Sequence, residues 1–265
     1  MEYVFGIDVS RWQGSFSFQT AKSDGVRFAI LRGAHHLSKD TMFDSNYTAA
    51  KAQDLNVGVY QYSMAETTAQ AKQEAEFLYD SCLKGRKFEL PIFIDVEDEV
   101  QKKLGKTALT AIVKAWCEAL EAKGFWVGIY ASNSFYGTYV NDSELLTYSH
   151  WVAQWAKDCT YSNKNVLGVW QFGGETNLLR SNKIAGVTCD QDYMLIDYPS
   201  LIKKAGKNGY SVQETAPTTD YKALYEELLK QLEALKGQVS SVDKELSQAQ
   251  ARYQALVDKV KGLVS

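Results

Sequence analysis

The stretch that decides the fold is PIFIDVED, residues 91–98. Four apolar side chains stand together, and Asp95, Glu97 and Asp98 follow within four positions. A short apolar run bounded by polar residues is typical of a strand that is buried on both faces, as in a parallel sheet. The sequence therefore predicts a buried strand that ends in a cluster of carboxyl groups.

Seven further apolar stretches of this kind alternate with helical patterns. The eight strand candidates are residues 3–9, 28–34, 57–63, 91–97, 126–132, 150–156, 168–172 and 188–194. The main helical segments are residues 45–56, 67–85 and 106–124, and the last two end on a glycine suited to a helix C-terminus. This alternation predicts an α/β fold with a parallel sheet, and eight strands favour a closed barrel. Because the helices dwindle in the last third, we expect an irregular TIM-like β/α barrel with fewer helices than strands and several antiparallel or poorly covered strands at its end.

Composition excludes several classes of function. The 265 residues carry a formal net charge of −3, so the chain lacks the broad positive field that binding to nucleic acid requires. The four cysteines lie far apart without a CxxC pair or a suitably placed histidine, which argues against a metal site. Free, mostly buried thiols are the favoured interpretation, and one or two disulfides are the alternative. We expect neither a metal nor another cofactor.

The N-terminal residues MEYVFGIDVS have no basic start, no long apolar run and no small-residue cleavage site. No window of the sequence approaches the roughly 20 apolar residues that span a bilayer. We therefore expect a protein that is made in the cytoplasm without a signal peptide and has no membrane partner.

The composition changes after the last strand candidate and divides the chain into three parts. We predict a catalytic barrel over residues 1–205, a linker over residues 206–220 and a coiled-coil segment over residues 221–264. In the third part, apolar residues recur alternately four and three positions apart over six heptads, the period that lets one stripe of a helix face a partner. These positions are Tyr221, Tyr225, Leu228, Leu232, Leu235, Val239, Val242, Leu246, Ala249, Tyr253, Leu256, Val260 and Leu263.

One continuous helix, about 65 Å long at 1.5 Å per residue, is the favoured interpretation of this segment. A hairpin of two shorter helices that turns at Gly237 is the alternative. Because a single amphipathic helix cannot bury its own apolar stripe, we predict a parallel homo-oligomer through residues 221–264. A plain spacer is the simpler competing interpretation.

Acidic residues follow the predicted strands at three places. Asp95 and Glu97 lie two positions apart, so in a strand they share a face, with their backbone positions about 6.6 Å apart. Asp8 follows the first strand, and Asp190 belongs to the eighth, which neighbours the first in a closed barrel. Because barrel active sites form at the carboxyl ends of the strands, these four acids are predicted to meet as a catalytic site. Asp98 points to the other face and is predicted to be a loop or cap residue.

Aromatic residues near the strand ends indicate the kind of ligand. Flat rings stack on sugar faces, and their polar edges hydrogen-bond hydroxyl groups. The last aromatic residues of three strand candidates, Tyr62, Tyr130 and Trp155, are therefore the predicted substrate contacts. His35 and His36 are interpreted as loop or core residues.

With these motifs in place, residues 3 to about 200 resemble glycoside hydrolase family 25, the muramidases found as phage endolysins and bacterial autolysins. The matching pieces, in order, are GIDVSRWQG, DTMFDSNYTAAKAQDLNVGVYQY, PIFIDVED, GIYAS, WVAQW, VWQF and CDQDYM. The resemblance implies an irregular β/α barrel that cleaves the β-1,4 bond between N-acetylmuramic acid and N-acetylglucosamine in peptidoglycan, acting on the bacterial cell wall after release.

The resemblance also implies roles for individual residues. Glu97 is implied to be the general acid, and the matching motifs place Asp95, Asp8 and Asp190 in the catalytic site with it; Asp95 and Asp190 are predicted to be electrostatic or orienting carboxylates. Gln171, from VWQF, and Asp192 join the predicted substrate-binding residues. The sequence departs from the family pattern at four places: Asp192 replaces a common Asn, Gln61 a His and Trp155 a Tyr, and the second strand ends in LRGAHHLS without the usual acidic residue.

The predicted mechanism has Glu97 kept protonated by the negative field of Asp95 and by partial burial. Its proton would go to the glycosidic oxygen, while Asp95 or Asp190 would steady the developing positive charge or orient the 2-acetamido group of the sugar. Two other hypotheses remain open at this point. One is a catalytically silent sugar-binding barrel, and the other is an adaptor protein that acts through its coiled coil.

Overall fold

The computed structural model describes residues 3–212 and 221–264, and in the second range it describes the side chains of 225–257 and 259. The chain divides into two compact units, Met1–Gln213 and Glu214–Ser265. The first unit holds the predicted barrel, and a single helix forms the described part of the second.

All eight predicted strands are present, with ends shifted by a few residues. In chain order the strands are β1 (Val4–Val9), β2 (Phe28–His35), β3 (Ser38–Lys39), β4 (Asn56–Tyr62), β5 (Ile92–Asp95), β6 (Val127–Ser132), β7 (Ser149–Ala153), β8 (Leu167–Gly173), β9 (Lys183–Ile184), β10 (Val187–Thr188) and β11 (Asp190–Met194). Eight of them close a barrel in the order β1-β2-β4-β5-β6-β7-β8-β11, with β11 returning to β1. The barrel fold is therefore confirmed.

The direction of the last barrel strand differs from that of the other seven. Seven barrel strands pair in parallel with one another, namely β1, β2, β4, β5, β6, β7 and β8. Of the eight barrel strands, β11 alone runs antiparallel to both neighbours. Several antiparallel or poorly covered strands were expected at the end of the barrel, and β7, β8 and β11 follow one another without an intervening helix. The other short strands lie outside it: β3 pairs with the end of β2, and β9 pairs with β10.

Helices surround the first half of the barrel more fully than the second. They are α1 (Phe18–Ser23), α2 (Phe43–Ala52), α3 (Thr68–Leu78), α4 (Glu99–Lys102), α5 (Lys106–Glu121), α6 (Asn133–Thr138) and α7 (Tyr198–Ala205). The Thr67 hydroxyl and the Gln70 side chain form a capping box at the start of α3. Gly85 and Gly124 have positive φ values where the two long helical segments end, as their sequences predicted.

Alternation along the strands separates two apolar layers. On β5, Ile92 and Ile94 belong to the layer beneath the helices, whereas Phe93 lies inside the barrel against Trp151, with ring centroids 5.2 Å apart. Asp95 shares the inward face of Phe93, because side chains two positions apart on a strand point the same way. The side chain of Asp95, the last residue of this buried strand, therefore points into the mouth of the barrel.

The barrel unit extends further than its predicted end at residue 205. Asn208 is fully buried, and its side chain donates to the Leu90 carbonyl and accepts from the Trp126 amide, at 2.8 and 2.7 Å. The predicted linker therefore begins too early, since these hydrogen bonds fasten the segment to the barrel. The remainder of that linker, residues 213–220, lies outside the described residues.

The C-terminal segment forms one helix, α8 (Tyr221–Val264), which continues through Gly237 without a turn. The hairpin alternative is therefore wrong. In the described part of the chain, no helix is both long and apolar enough to cross a membrane. Cys82, Cys117, Cys159 and Cys189 are free thiols, and all but Cys159 are buried.

Candidate active site

A cavity of about 380 Å³ opens at the carboxyl ends of the parallel strands. Its lining residues are Asp8, Arg11, Trp12, Arg32, His35, Tyr60, Tyr62, Asp95, Glu97, Tyr130, Trp151, Gln171 and Asp190. The structure thus brings together all four acids that the sequence analysis assigned to a catalytic site. They come from three separate stretches of the chain.

Strand geometry explains why these acids meet. Asp8 lies directly opposite Asp190 where β1 pairs with β11, and Asp95 is the last residue of β5. Asp190 begins its strand, and it reaches the same rim because β11 is antiparallel. Glu97 lies two residues beyond the end of β5, since the strand is shorter than predicted, but it still lines the cavity.

The acids differ in their exposure to solvent. Asp8 and Asp95 are 6% and 4% exposed, whereas Asp190 is half-buried and Glu97 is exposed. Although Glu97 has an exposed face, the cavity wall removes enough water to raise the pKa of its carboxyl group. Lys102 opposes this rise in pKa, and the neighbouring charge of Asp98 adds to it.

Burial has its largest effects at the floor of the cavity. It raises the pKa of Asp95 well above its ordinary value, and the charge of Glu97 raises it further, whereas Arg32 lowers it. The two carboxylates of this pair also repel each other, so the charge on either one favours the protonated form of the other. Both carboxyl groups of the pair therefore have raised pKa values, and Asp95 is the more deeply buried of the two.

Asp8 and Asp190 form a second group of interacting acids. Burial, followed by the charges of Asp190 and Asp192, raises the pKa of Asp8 well above the ordinary range. Burial, followed by Glu175 and Glu97, raises the pKa of Asp190 to about 6. So many carboxyl groups cannot all be charged at neutral pH, because like charges in a partly dry site repel one another.

Hydrogen bonds to Gln171 hold part of the cavity wall in place. The Gln171 Nε2 atom donates to Asp8 Oδ2 at 2.8 Å, while its Oε1 atom accepts from Tyr130 Oη and Trp155 Nε1, both at 3.1 Å. Two donors on Oε1 and one acceptor on Nε2 fix the orientation of the amide. Gln171 therefore positions an acid and two aromatic rings at once.

The predicted substrate-binding residues fall into three groups. Tyr62, Tyr130 and Gln171 line the cavity. Trp155 lies in the loop after β7 rather than in a strand, is 43% exposed and stands beside the cavity through its bond to Gln171. Asp192 is fully buried beneath the cavity and does not line it, so the structure gives it no direct access to a substrate.

Other predictions concern the rim of the cavity. Tyr62 donates its hydroxyl to Asp98 Oδ2 at 3.0 Å, and Asp98 caps α4 by accepting from the Val100 amide, as its predicted role requires. His35 lines the cavity and stacks on Tyr62 with ring centroids 4.7 Å apart. Its assignment as a loop or core residue was therefore wrong, because the last residue of β2 turns toward the mouth.

Sequence reasoning missed several other lining residues, namely Arg11, Trp12, Arg32, Tyr60 and Trp151. Arg32 left the clearest signal, since it is a charged residue inside the apolar run of the second strand. Its Nε atom donates to Asp40 Oδ2 at 2.7 Å, and this pair is almost completely buried. Trp12 left no such signal, and it is 73% exposed at the rim.

Fold and site together define a β/α barrel with an acidic, aromatic-lined cleft at the carboxyl ends of its strands, where barrel enzymes place their active sites. The family described as glycosyl hydrolases family 25 matches residues 7–179. The chain belongs to this family. Asp190 lies beyond the matched residues.

Individual relatives are distant. The chain is 26% identical over 151 residues to an autolytic lysozyme of Clostridium acetobutylicum, and 25% identical over 200 residues to lysozyme M1 of Streptomyces globisporus. These matches cover 57% and 71% of this chain, but only 44% and 66% of the two relatives. A bacterial lysozyme structure from Streptomyces coelicolor has the same fold, with a TM-score of 0.65 and 23% identity over 77% of this chain and 98% of that one.

Proposed function

We propose that the protein is a peptidoglycan hydrolase, an N-acetylmuramidase that cleaves the β-1,4 bond between N-acetylmuramic acid and N-acetylglucosamine. The observation that carries this proposal is the convergence of Asp8, Asp95, Glu97 and Asp190 with aromatic rings in one cavity. Membership of the family and the lysozyme names of two relatives support the choice of substrate.

Glu97 is the general acid in this proposal. It lies at the open side of the cavity, where a glycosidic oxygen can reach it, and its pKa is raised as an acid catalyst near neutral pH requires. Asp95 is deeper and is less accessible to the leaving group. The position of Glu97, rather than the size of its pKa change, distinguishes it from Asp95.

Asp95 orients the 2-acetamido group of the bound sugar. It lines the cavity, and its Oδ1 atom has no hydrogen-bond partner among the described residues. When the acetamido N–H donates to this carboxyl group, the charged form of Asp95 is favoured and its pKa falls. Once Asp95 is charged, its negative field raises the pKa of Glu97, so Glu97 keeps the proton that it donates to the glycosidic oxygen. The acetamido carbonyl acts as the internal nucleophile, and the configuration at the anomeric carbon is retained.

Replacing Glu97 by Gln tests the assignment of the acid. General acid catalysis contributes about 10²- to 10⁴-fold, so the Glu97→Gln enzyme should lose at least about 100-fold in its rate of clearing a cell-wall suspension. Glu66→Gln, a change at an exposed position before α3, is the matched control. Retained lysis by the Glu97 variant would refute this role.

Product analysis separates this function from a silent sugar-binding barrel. Mass spectrometry of digested peptidoglycan should show new reducing ends on N-acetylmuramic acid, and NMR of the first product should show the retained anomer. Binding to walls without new reducing ends would favour the silent protein. An inverted first product would exclude the acetamido nucleophile but keep the hydrolase.

The endolysin role is part of the proposal and rests on the resemblance in sequence. An endolysin made inside a bacterium reaches the wall only when the inner membrane is opened. Cells that express the chain should therefore remain intact until the membrane is permeabilised and should then lyse. Lysis without permeabilisation would contradict this part.

The helix α8 is proposed to bind a second copy of itself. In the described part of α8, the large apolar side chains of the stripe, from Tyr225 to Leu256, are between 48% and 72% exposed. Asp243 and Glu245 flank the apolar stripe near the middle of α8. If two α8 helices paired antiparallel with full overlap, each of these two acids would lie beside the same residue of the other copy, and the like charges would repel. A parallel pair avoids these like charges, since the same heptad rule then places Gln238 beside Asp243 and Glu245 beside Gln250.

Light scattering of the full chain tests this association. Placing charges in the stripe, with Leu235→Asp and Leu246→Asp together, should yield monomers. Ser240→Asp with Ser247→Asp, on another face of the same helix, should leave the larger mass unchanged. Linked barrels would gain avidity on a polymeric wall without new contacts, so the monomeric variant should also bind walls more weakly. A monomeric wild-type chain would end this proposal.

A further inference from the structure

Glu97 lies on a short segment that has little regular structure of its own. Strand β5 ends two residues before it, and the helix α4 that follows supplies only a single turn. Because nucleation makes so short a helix unstable by itself, contacts with the rest of the barrel must hold the segment in place. The Tyr62 hydroxyl holds its beginning by donating to Asp98 at 3.0 Å. The side chain of Gln101 holds its end.

Gln101 is the only buried residue of α4. Its Nε2 atom donates to Ser63 Oγ at 3.1 Å and to the Ala65 carbonyl oxygen at 3.3 Å, and all three residues are fully buried. A carbonyl oxygen can only accept, so it fixes which end of the Gln101 amide points this way. The Oε1 atom of the same amide is buried without a hydrogen-bond partner among the described residues. A half-satisfied amide is a poor choice for packing alone, since an unsatisfied buried polar atom costs about 1–3 kcal/mol.

Ser63 connects Gln101 to the helix α3. The Ser63 hydroxyl lies 2.6 Å from Oε2 of Glu74, a fully buried residue of that helix. A carboxylate can only accept, so the hydroxyl donates its one hydrogen to Glu74 and its lone pairs are left to accept from Gln101. The Oε1 atom of Glu74 accepts from the Met64 amide at 2.9 Å and lies 2.7 Å from His36 Nδ1. The series Glu74, Ser63, Gln101 therefore joins α4 to an 11-residue helix through bonds whose donors and acceptors match.

We propose that Gln101 is a positioning residue that, through Ser63 and Glu74, fixes the place of the Glu97 carboxyl group in the cavity wall. Gln101 does not line the cavity and acts only through the segment that it holds. Without this anchor the end of α4 is free to move away from the barrel, and Glu97 moves with it. The inference rests on the proposed function and deepens it, because it assigns a support to the general acid.

The surroundings of Glu97 depend on where α4 lies. Burial raises the pKa of Glu97, Lys102 of α4 lowers it, and the charge of Asp98 raises it. The other titratable groups that interact with Glu97 lie outside α4 and are Asp95, Asp190, Tyr62 and Tyr130. When α4 loosens, more water reaches Glu97 and its pKa falls toward the ordinary value. A general acid works only while it is protonated, so the loss of activity on the alkaline side then begins at lower pH.

Activity measurements on Gln101→Met test this positioning role, since methionine keeps a similar volume and removes both hydrogen bonds. We expect kcat on cell walls to fall about three- to tenfold and KM to stay within about twofold, as loss of a neutral hydrogen bond outside the substrate contacts implies. The alkaline limb of the pH profile should move to lower pH. Gln73→Met, at an exposed position of α3, is the matched control and should change neither. An alkaline limb that does not move would overturn the proposal, because general damage to the fold lowers the amount of active enzyme without shifting its pH profile.

A double-mutant cycle tests the link through Ser63. Ser63→Ala removes the acceptor of the same hydrogen bond and should also lower kcat. Because the two residues act through one bond, Ser63→Ala with Gln101→Met should be no slower than the slower single variant. Losses that multiply would show independent effects and would overturn the link.

Hydrogen exchange of the full chain tests the anchor without using activity. In wild type, the amides of residues 97–104 should be protected, and in Gln101→Met they should exchange faster while β5 stays protected. Wild-type amides in this range that exchange as fast as in an unfolded chain would overturn the anchor, even if the variant fails to fold. The same result follows if wild type and a folded variant exchange equally. A wild-type chain that leaves walls intact would refute the proposed function, whereas the exchange rates would still decide whether Gln101 holds α4.

Discussion

Replacing Asp190 by Asn should make the protein more stable at neutral pH while weakening the proposed hydrolysis. Burial and the charges of Glu175 and Glu97 raise the pKa of Asp190 from 3.8 to about 6 in the folded protein. At 1.36 kcal/mol per pKa unit, the charged carboxyl group costs the folded state about 3 kcal/mol. Because Asp190 is only half-buried and solvent screens part of this effect, we expect about 2 kcal/mol.

The direction of the pH dependence follows from proton linkage. Below about pH 3.8, Asp190 is protonated in both the folded and the unfolded states and costs nothing. Between about pH 3.8 and 6 only the unfolded state releases the proton, so the stability of the wild type falls as the pH rises. Above about pH 6 the loss is complete. Asp190→Asn has no such loss of stability. The difference in free energy of unfolding between this variant and wild type should therefore grow across this pH window and then remain constant.

Urea unfolding at several pH values measures this difference. The free energy of unfolding of Asp190→Asn minus that of wild type should increase by about 2 kcal/mol between pH 3.5 and 7. Removal of the Asp190 charge also relieves Asp8 and Asp192, whose pKa values it raises, and this acts in the same direction. Asp158→Asn, a change at an exposed position after β7, is the control for the substitution itself. A difference that stays flat or shrinks as the pH rises would refute the reasoning.

Two glycine substitutions test the packing around the site. Gly174→Ala would place a Cβ atom 2.0 Å from Asp190 Oδ1 and 2.6 Å from the Trp155 ring, so hydrolysis of cell walls should fall severalfold while circular dichroism stays native. Native activity in this variant would show that the position of Asp190 is not critical. Gly6→Ala would place a Cβ atom 2.4 Å from the Phe28 ring inside the barrel, and overpacking of this kind costs about 1–3 kcal/mol. The melting temperature should drop accordingly, and an unchanged value would contradict the close contact.

The excess of acids in this site lowers the stability of the folded barrel at neutral pH. Asp8, Asp95 and Asp192 are all nearly or fully buried, and burial raises the pKa of each well above its ordinary value. Packing elsewhere in the barrel offsets this cost, and functional sites often trade stability for activity in this way. Substitutions that remove a carboxyl group should therefore tend to stabilise the fold and weaken the proposed function.

Much of the fold follows from patterns that are local in sequence. The alternation of apolar strands with helices predicted all eight barrel strands, and the glycines at 85 and 124 predicted the ends of two helical segments. Because side chains alternate between the two faces of a strand, Asp95 lies on the same face as Phe93. The 3.5-residue period predicted the long helix α8. These features depend on neighbours within a few residues, so the sequence alone determined them.

Only the tertiary structure decided how the predicted acids reach one cavity and how each one behaves. Asp190 reaches the mouth because β11 runs antiparallel, and Asp192, two residues further along the same strand, is buried where the Trp151 side chain donates to it. The relative depth of Asp95 and Glu97 sets their pKa values, and depth depends on the walls that other strands supply. Desolvation and charge interactions act through space between distant parts of the chain, and for that reason spacing along the sequence could name the acids but could not assign the protons.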